Sequence, residues 1–307
     1  MKIWTNKLVV IAAMVLTGLA VSGFAQTAPA KKAPAKPAVD KSAELTPRLW
    51  VFMGLPGDAQ RDAKYSETVE LLRSTFSKRF GTKASDMHIL FGKGKLKAGA
   101  DAKTAKPADY KYRPCNLANL NQACADIVKL SADGRPNYVF ILGHATPTKN
   151  DAFFNIAGPD ISARKLANAL KKTRRETPMA IFISLPVAKR FGRRLYLKNS
   201  RTLPDAKRVI INACDDDEKK DINEPEFGHV IARVFASAET DADNDGYITM
   251  GEVYKAAEIQ VEDFFKTEGF VQTEWPSLDG DGNGRATKRP APTDLNGANR
   301  VKLKIIK

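Results

Sequence analysis

Five short apolar runs punctuate the first two thirds of the chain: Leu49-Trp50-Val51-Phe52-Met53, Met87-His88-Ile89-Leu90-Phe91, Tyr138-Val139-Phe140-Ile141-Leu142, Met179 to Ser184, and Arg208 to Ala213. None alternates polar with apolar, so each reads as a strand buried on both faces. The intervals between them carry a different period. Val69, Leu71, Leu72 and Phe76 fall near 3.6 spacing, as do Leu117, Leu120, Ala123, Ile127 and Leu130, and a third set around Leu166 and Leu170 that Asp160 or Ser162 would cap. Ala152 to Gly158 reads as a short hairpin, and Lys93 to Arg113 as a basic loop. Strands alternating with helices predict an α/β fold, a mainly parallel sheet covered by helices on both faces.

The last third changes character. Phe227, Val230, Ile231, Val234 and Phe235 form one helical stripe, and Met250, Val253, Ala257, Val261 and Phe264 form a second. Between them lies DADNDGYITMGE, residues 241–252, which matches the helix–loop–helix calcium template position by position. Asp241, Asp243 and Asp245 supply carboxylate oxygens, and Gly246 permits the sharp turn. Tyr247 offers its carbonyl, Ile248 anchors the loop in the core, Thr249 sits at the ninth position, and Glu252 closes the site as a bidentate ligand. The ion expected is Ca2+, which takes many hard oxygens. DGDGNG, residues 279–284, repeats the first half with Asp279, Asp281 and Asn283, but its twelfth position falls on Pro290. It reads equally as a second, weaker ion site or as a turn-rich loop, and other parts of the fold can supply its missing ligands.

Composition adds a destination. Lys2 and Lys7, the uncharged run Leu8 to Val21 and the small residues around Ala25 read as a secretory signal cleaved near Ala25. The run is short for a membrane span, and no cysteine follows it for lipid attachment. The expected organisation is a signal over 1–25, an Ala/Pro/Lys-rich linker over 26–47, a domain over 48–270, and an extension over 271–307 with the second acidic loop and a basic tail. The mature chain is expected to be exported, periplasmic or secreted, without a span. Its three cysteines, Cys115, Cys124 and Cys214, are an odd number. On one helix Cys115 and Cys124 would lie about 13 Å apart, too far to bridge, so they read as buried small hydrophobes. The charge of +14 gathers at Lys93-Lys95-Lys97, Lys171 to Arg175 and Lys189 to Arg194. These runs suit an anionic envelope component, but a solvated surface is the simpler reading. No aromatic interleaving or fold signature supports specific nucleic-acid binding.

Several segments together resemble the caspase/legumain clan of cysteine peptidases, and in particular its exported bacterial members with a calcium-type loop after the catalytic core. They are GLPGD at 54–58, ILGHA at 141–145, FNIAGPDISARKLANAL at 154–170, RVIINAC at 208–214, EPEFGHVIARVF at 224–235, the loop at 241–252, and TEWPSLDGDGNG at 273–284. The resemblance implies a caspase-like parallel sheet and a catalytic histidine at His144, after the third strand. It places the cysteine nucleophile after the fourth, within IFISLPVAKRF, residues 181–191. That stretch has no cysteine. Pro186 stands near the nucleophile's place and offers neither a thiol nor a backbone N–H for an oxyanion hole, and Ala145 replaces the family's glycine. Ser184 and Cys214 are the alternative nucleophiles, neither with a visible acid or oxyanion device. His88 and His229 read as structural. The expectation is an exported, calcium-binding pseudopeptidase that binds a protein or envelope partner; the alternative is an active peptidase using His144 with Ser184 or Cys214.

Overall fold

The computed structural model describes residues 45–94, 112–195, 207–214 and 225–306. The expected signal and most of the linker lie outside them, as does most of the basic loop after Lys93, including Lys95 and Lys97. Strand β1 (Arg48–Met53) leads through α1 (Ala59–Phe80) to β2 (Met87–Phe91). β3 (Tyr112–Arg113) and α2 (Leu117–Leu130) precede β4 (Asn137–Leu142). Three short strands, β5 (Ala145–Pro147), β6 (Ala152–Phe154) and β7 (Ile161–Ser162), form a small antiparallel sheet ahead of α3 (Ala163–Leu170). The chain continues with β8 (Met179–Ser184), α4 (Ala188–Leu195), β9 (Arg208–Asn212), α5 (Phe227–Ala236), β10 (Tyr247–Thr249) and α6 (Met250–Thr267). It ends in β11 (Ser277–Asp279), α7 (Pro292–Ala298) and β12 (Lys302–Lys304).

The central sheet has the order β11-β9-β8-β4-β1-β2-β3, and every pair is parallel except β11 with β9. This is the mainly parallel, helix-flanked α/β sheet that the unbroken apolar runs predict. β1 sits inside it, paired with β2 on one side and β4 on the other, so the winding direction reverses between β1 and β4. Local chemistry sets the helix starts. Asp58 accepts from Arg61 N at 2.8 Å and Asn116 from Asn119 N at 2.9 Å. Ser162 rather than Asp160 caps α3, accepting from Lys165 N at 3.2 Å, while Asp160 accepts from Ile156 N. Among the described residues no helix is long and apolar enough to cross a membrane.

Helices α1, α5 and α6 pack in series on one face, and α2, α3 and α4 on the other. Under the first face lies an aromatic cluster centred on Phe235 of α5. Its ring lies 5.3–6.4 Å from those of Phe76, Phe80, Tyr138, Phe140 and Phe182. Mostly edge-on contacts of this kind add to simple area burial, and they fasten α5 to α1, β4 and β8 at once. Cys115, Cys124 and Cys214 are all buried and unbridged. Burial pushes the Cys124 thiol up to about 12 and that of Cys115 higher still, which suits inert packing.

Phe235→Ala should lower unfolding free energy by about 3–5 kcal/mol, read from urea unfolding followed by circular dichroism. A loss under about 1 kcal/mol would mean that the cluster does not anchor α5.

Candidate metal centres and the carboxyl edge of the sheet

Loop 241–252 runs from the single 3-10 turn Ala238–Thr240 after α5 into the first turn of α6, and its backbone is shaped by its own carboxylates. Asp241 accepts Asp245 N at 3.1 Å and Gly246 N at 3.2 Å through its two oxygens. Asp243 also accepts Asp245 N, at 3.1 Å, and Asp245 accepts Tyr247 N at 2.8 Å. Asn244 and Gly246 take left-handed conformations, φ 57° and 85°, which bend the loop around its interior. Glu252, third residue of α6, then folds back: one oxygen accepts Ala242 N at 3.0 Å, and the other accepts Thr249 N at 2.8 Å. Asp241, Asp243 and Glu252 each place an oxygen within 4.8 Å of the others. Asp245 stays outside that trio, and the Thr249 hydroxyl is engaged with Glu252, both donating to its carboxylate and accepting its N–H.

The second acidic loop reproduces this scheme. Asp279 accepts Asn283 N at 3.0 Å and Gly284 N at 2.8 Å; Asp281 accepts Asn283 N at 3.0 Å; Asn283 accepts Arg285 N at 2.8 Å. Gly282 and Gly284 repeat the two left-handed positions, φ 70° and 78°. The missing closing ligand is Asp294. It accepts Gly280 N at 3.3 Å with one oxygen and Ala291 N at 3.2 Å with the other. Glu252 makes the same two bonds, to the second N–H of its loop and to the N-cap N–H of the following helix. Asp279, Asp281 and Asp294 again bring oxygens within 4.8 Å of one another. Both clusters can therefore hold a metal ion.

Asp294 was not legible from the template because the chain reaches it ten residues after Gly284, whereas Glu252 follows Gly246 by six. The available signal was positional: both acids sit third in a helix, just after a residue fit to precede one. The second cluster is also the drier. Asp279 is 2% exposed and Asp294 5%. Burial, with Asp281 and Asp294 adding like charge, pushes the Asp279 carboxyl up to about 7, and burial raises that of Asp294 as well.

The candidate peptidase residues sit at the carboxyl ends of β4, β8 and β9. His144 follows β4 at the base of the small sheet, where its carbonyl accepts Asn155 N at 3.0 Å. Its half-buried ring makes no hydrogen bond among the described residues. Ser184 faces α5 on the other side: its hydroxyl accepts Gly228 N at 2.9 Å and reaches the Pro225 carbonyl at 3.5 Å. It serves as a cap for α5. Cys214 turns its Sγ to the carbonyls of Leu185 and Pro186, at 3.5 and 3.3 Å, in the turn that opens α4. No hydrogen bond links His144 to Ser184 or Cys214.

His229 lies on the α5 side with Ser184, its Nδ1 3.3 Å from Thr68 Oγ1. The Thr68 hydroxyl donates to Lys64 O at 2.8 Å, so Nδ1 must carry the proton for that contact to be a hydrogen bond. Burial lowers the His229 pKa. His229, Ser184, Gly143 and Lys64 line a cavity of about 20 Å³ beside the point where the winding reverses. That volume holds a single water, and Lys64 is paired with Glu226. His88 is stacked on Trp50, with ring centroids 3.9 Å apart, a packing role.

No family model matches the chain, and no curated protein matches it. Among solved structures it is similar to protein GSU0716 from Geobacter sulfurreducens, with a TM-score of 0.43 and 11% identity over 81% of this chain and 96% of that one. The likeness is too slight to bear on function.

Ser184→Ala should strand the buried Gly228 N–H and cost about 1–3 kcal/mol of stability, measured by urea unfolding. A variant as stable as the parent would show that the hydroxyl is not needed as a cap.

Proposed function

We propose that this protein is an exported calcium-binding domain, built on a caspase/legumain-like scaffold without peptidase chemistry, and that it acts by binding a partner. The observation that carries the calcium reading is the closure of the second loop by Asp294 in the manner of Glu252. Two loops far apart in sequence converge on three carboxylates, each closed from the third position of a helix. Oxygen is the sole donor type in both, and the first loop follows the calcium template throughout, which favours calcium over softer metals. Burying Asp279 and Asp294 side by side is costly unless a cation offsets their charge.

The loss of peptidase chemistry rests on the edge residues. Acyl transfer needs a nucleophile within hydrogen-bond reach of its base. Pro186 supplies neither thiol nor N–H, the Ser184 hydroxyl is committed to the start of α5, and the Cys214 thiol is buried. Fluorogenic peptides ending in Asn, Asp or Arg should remain uncut. Turnover that vanishes in His144→Ala would instead identify an active peptidase using Ser184 or Cys214.

Chelator-stripped protein should take up two calcium ions per chain in a calorimetric titration. Glu252→Gln and Asp294→Asn should each leave one ion bound. Because the ion binds only the folded state, calcium at 100 times Kd should add about 2.7 kcal/mol of stability per site. Magnesium should give a much smaller rise in melting temperature. No calcium uptake in the calorimeter would overturn the proposal.

A further inference from the structure

Helices α3 and α4, neighbours on one face of the sheet, carry side-chain charge of one sign only. Their sequences, ARKLANAL and AKRFGRRL, contain no acid. In α4 the buried positions are Ala188, Phe191, Gly192 and Leu195, and each remaining position is a cation: Lys189, Arg190, Arg193 and Arg194. Lys189 with Arg193, and Arg190 with Arg194, are like-charge pairs one turn apart, which destabilise a helix. Both helices also place two cations in the first turn, Arg164 and Lys165 in α3 and Lys189 and Arg190 in α4, against the helix dipole. Basic residues near the ends of these helices have a local explanation in that dipole; at their starts Arg164 lies 4.0 Å from Asp151 and Arg190 donates to Thr148 O at 3.2 Å, whereas exposed Lys165 forms no ion pair among the described residues.

Among the described residues, six charges on these helices and in the turn after α3 are also unmatched. Lys165, Lys171, Lys172, Arg174, Arg193 and Arg194 are exposed, and none forms an ion pair among the described residues. Elsewhere the same protein pairs some of its arginines. Arg48 pairs with Asp133, and Arg135 binds Asp86 through both guanidinium nitrogens at 3.0 and 2.7 Å. Arg208 anchors the cationic turn after α3 to β9, donating to the carbonyls of Thr173 and Arg174 at 2.8 and 3.3 Å. The cations thus stand on a fixed base.

We propose that the outer face of α3 and α4 is a docking surface for an anionic phospholipid bilayer. A two-helix layer lying on a sheet presents its charges on a broad face and not in a groove, and no large apolar side chain of either helix is exposed. A nucleic-acid strand would want stacking rings beside the charges, and none are there. A planar array of phosphates needs the charges alone, and each Lys or Arg near an anionic surface strengthens attachment about fivefold.

The test is co-sedimentation of the full chain with vesicles of phosphatidylcholine containing 30% phosphatidylglycerol, in chelator so that no divalent ion bridges protein to lipid. Binding should exceed that to pure phosphatidylcholine and collapse in 1 M salt, where the screening length falls to about 3 Å. Replacing Lys165, Lys171, Arg193 and Arg194 with Gln should weaken it at least about 100-fold. The same exchange at Lys78, Lys83, Arg233 and Lys255 should weaken it less than tenfold. Because the first exchange relieves repulsion within α4, its melting temperature should not fall. Equal binding by both variants, no preference for anionic vesicles, or retention by a DNA duplex without retention by vesicles would each overturn the proposal. Loss of calcium binding would leave these results unchanged, so the two readings fail separately.

Discussion

A helix exposes unpaired N–H groups and a partial positive charge at its start, and in this protein the last three helices meet that demand with buried or half-buried carboxylates. Glu252 does so for α6 and Asp294 for α7, each from inside the helix it serves. For α5 the acid comes from outside: Glu274, 1% exposed, accepts the N–H groups of Glu226 and Phe227 at 2.6 and 3.0 Å. Ser184 takes the next one, that of Gly228. Much of the C-terminal half hangs on these contacts. They fix where α5 starts, so that Phe235 reaches the middle of the sheet, and they fix the closing oxygen of each acidic loop. The acid serving α5 is held in tension, since burial lifts its carboxyl to about 8 while the two N–H donors favour the ionised form.

The two acidic centres are chemically alike and mechanically different. In the first, every carboxylate of the trio comes from one twelve-residue stretch, so an ion there orders a local turn. In the second, Asp279 belongs to edge strand β11, which is hydrogen-bonded to β9, and Asp294 belongs to α7. An ion held there would join the central sheet to a helix. At the carboxyl edge, by contrast, the polar groups of Ser184 and Cys214 are spent on structure. Ser184 and Cys214 lie where the fold would put chemistry, but their hydrogen atoms point at carbonyls of the turn and helix next to them.

The strands could be read from the sequence because a parallel strand covered on both sides has no polar alternation to obscure it. Leu49 to Met53 and Tyr138 to Leu142 needed no further context. Helix α4 escaped because it is eight residues long and half of those are cations, so its apolar stripe is reduced to Phe191, Leu195 and two small residues. β11, α7 and β12 escaped for a related reason: three-residue strands and a seven-residue helix are too short to establish a period. The first candidate metal centre was visible because its carboxylates fall within one short stretch of sequence. In the second, Asp279, Asp281 and Asn283 were visible, and Asp294 was hidden by a longer arc that only the folded chain closes. Ser184 could be placed at a strand end, but its orientation toward α5 depends on the residue parity of β8, which puts Phe182 and Ser184 on one side and Ile183 on the other.

Strand β10, inside the first acidic loop, pairs with β12, so that Ile248 lies opposite Leu303. Its partner is supplied by residues about fifty positions downstream. On the ribosome, or while threading through a narrow channel, the chain would present the loop's carboxylates well before the strand that braces them. The order of assembly is therefore written into the pairing: the central strands of the sheet can close first, and the braced form of the loop becomes available only after β12 has emerged. A chain threaded amino end first into a space rich in divalent ions would therefore expose the loop to them before its brace is in place.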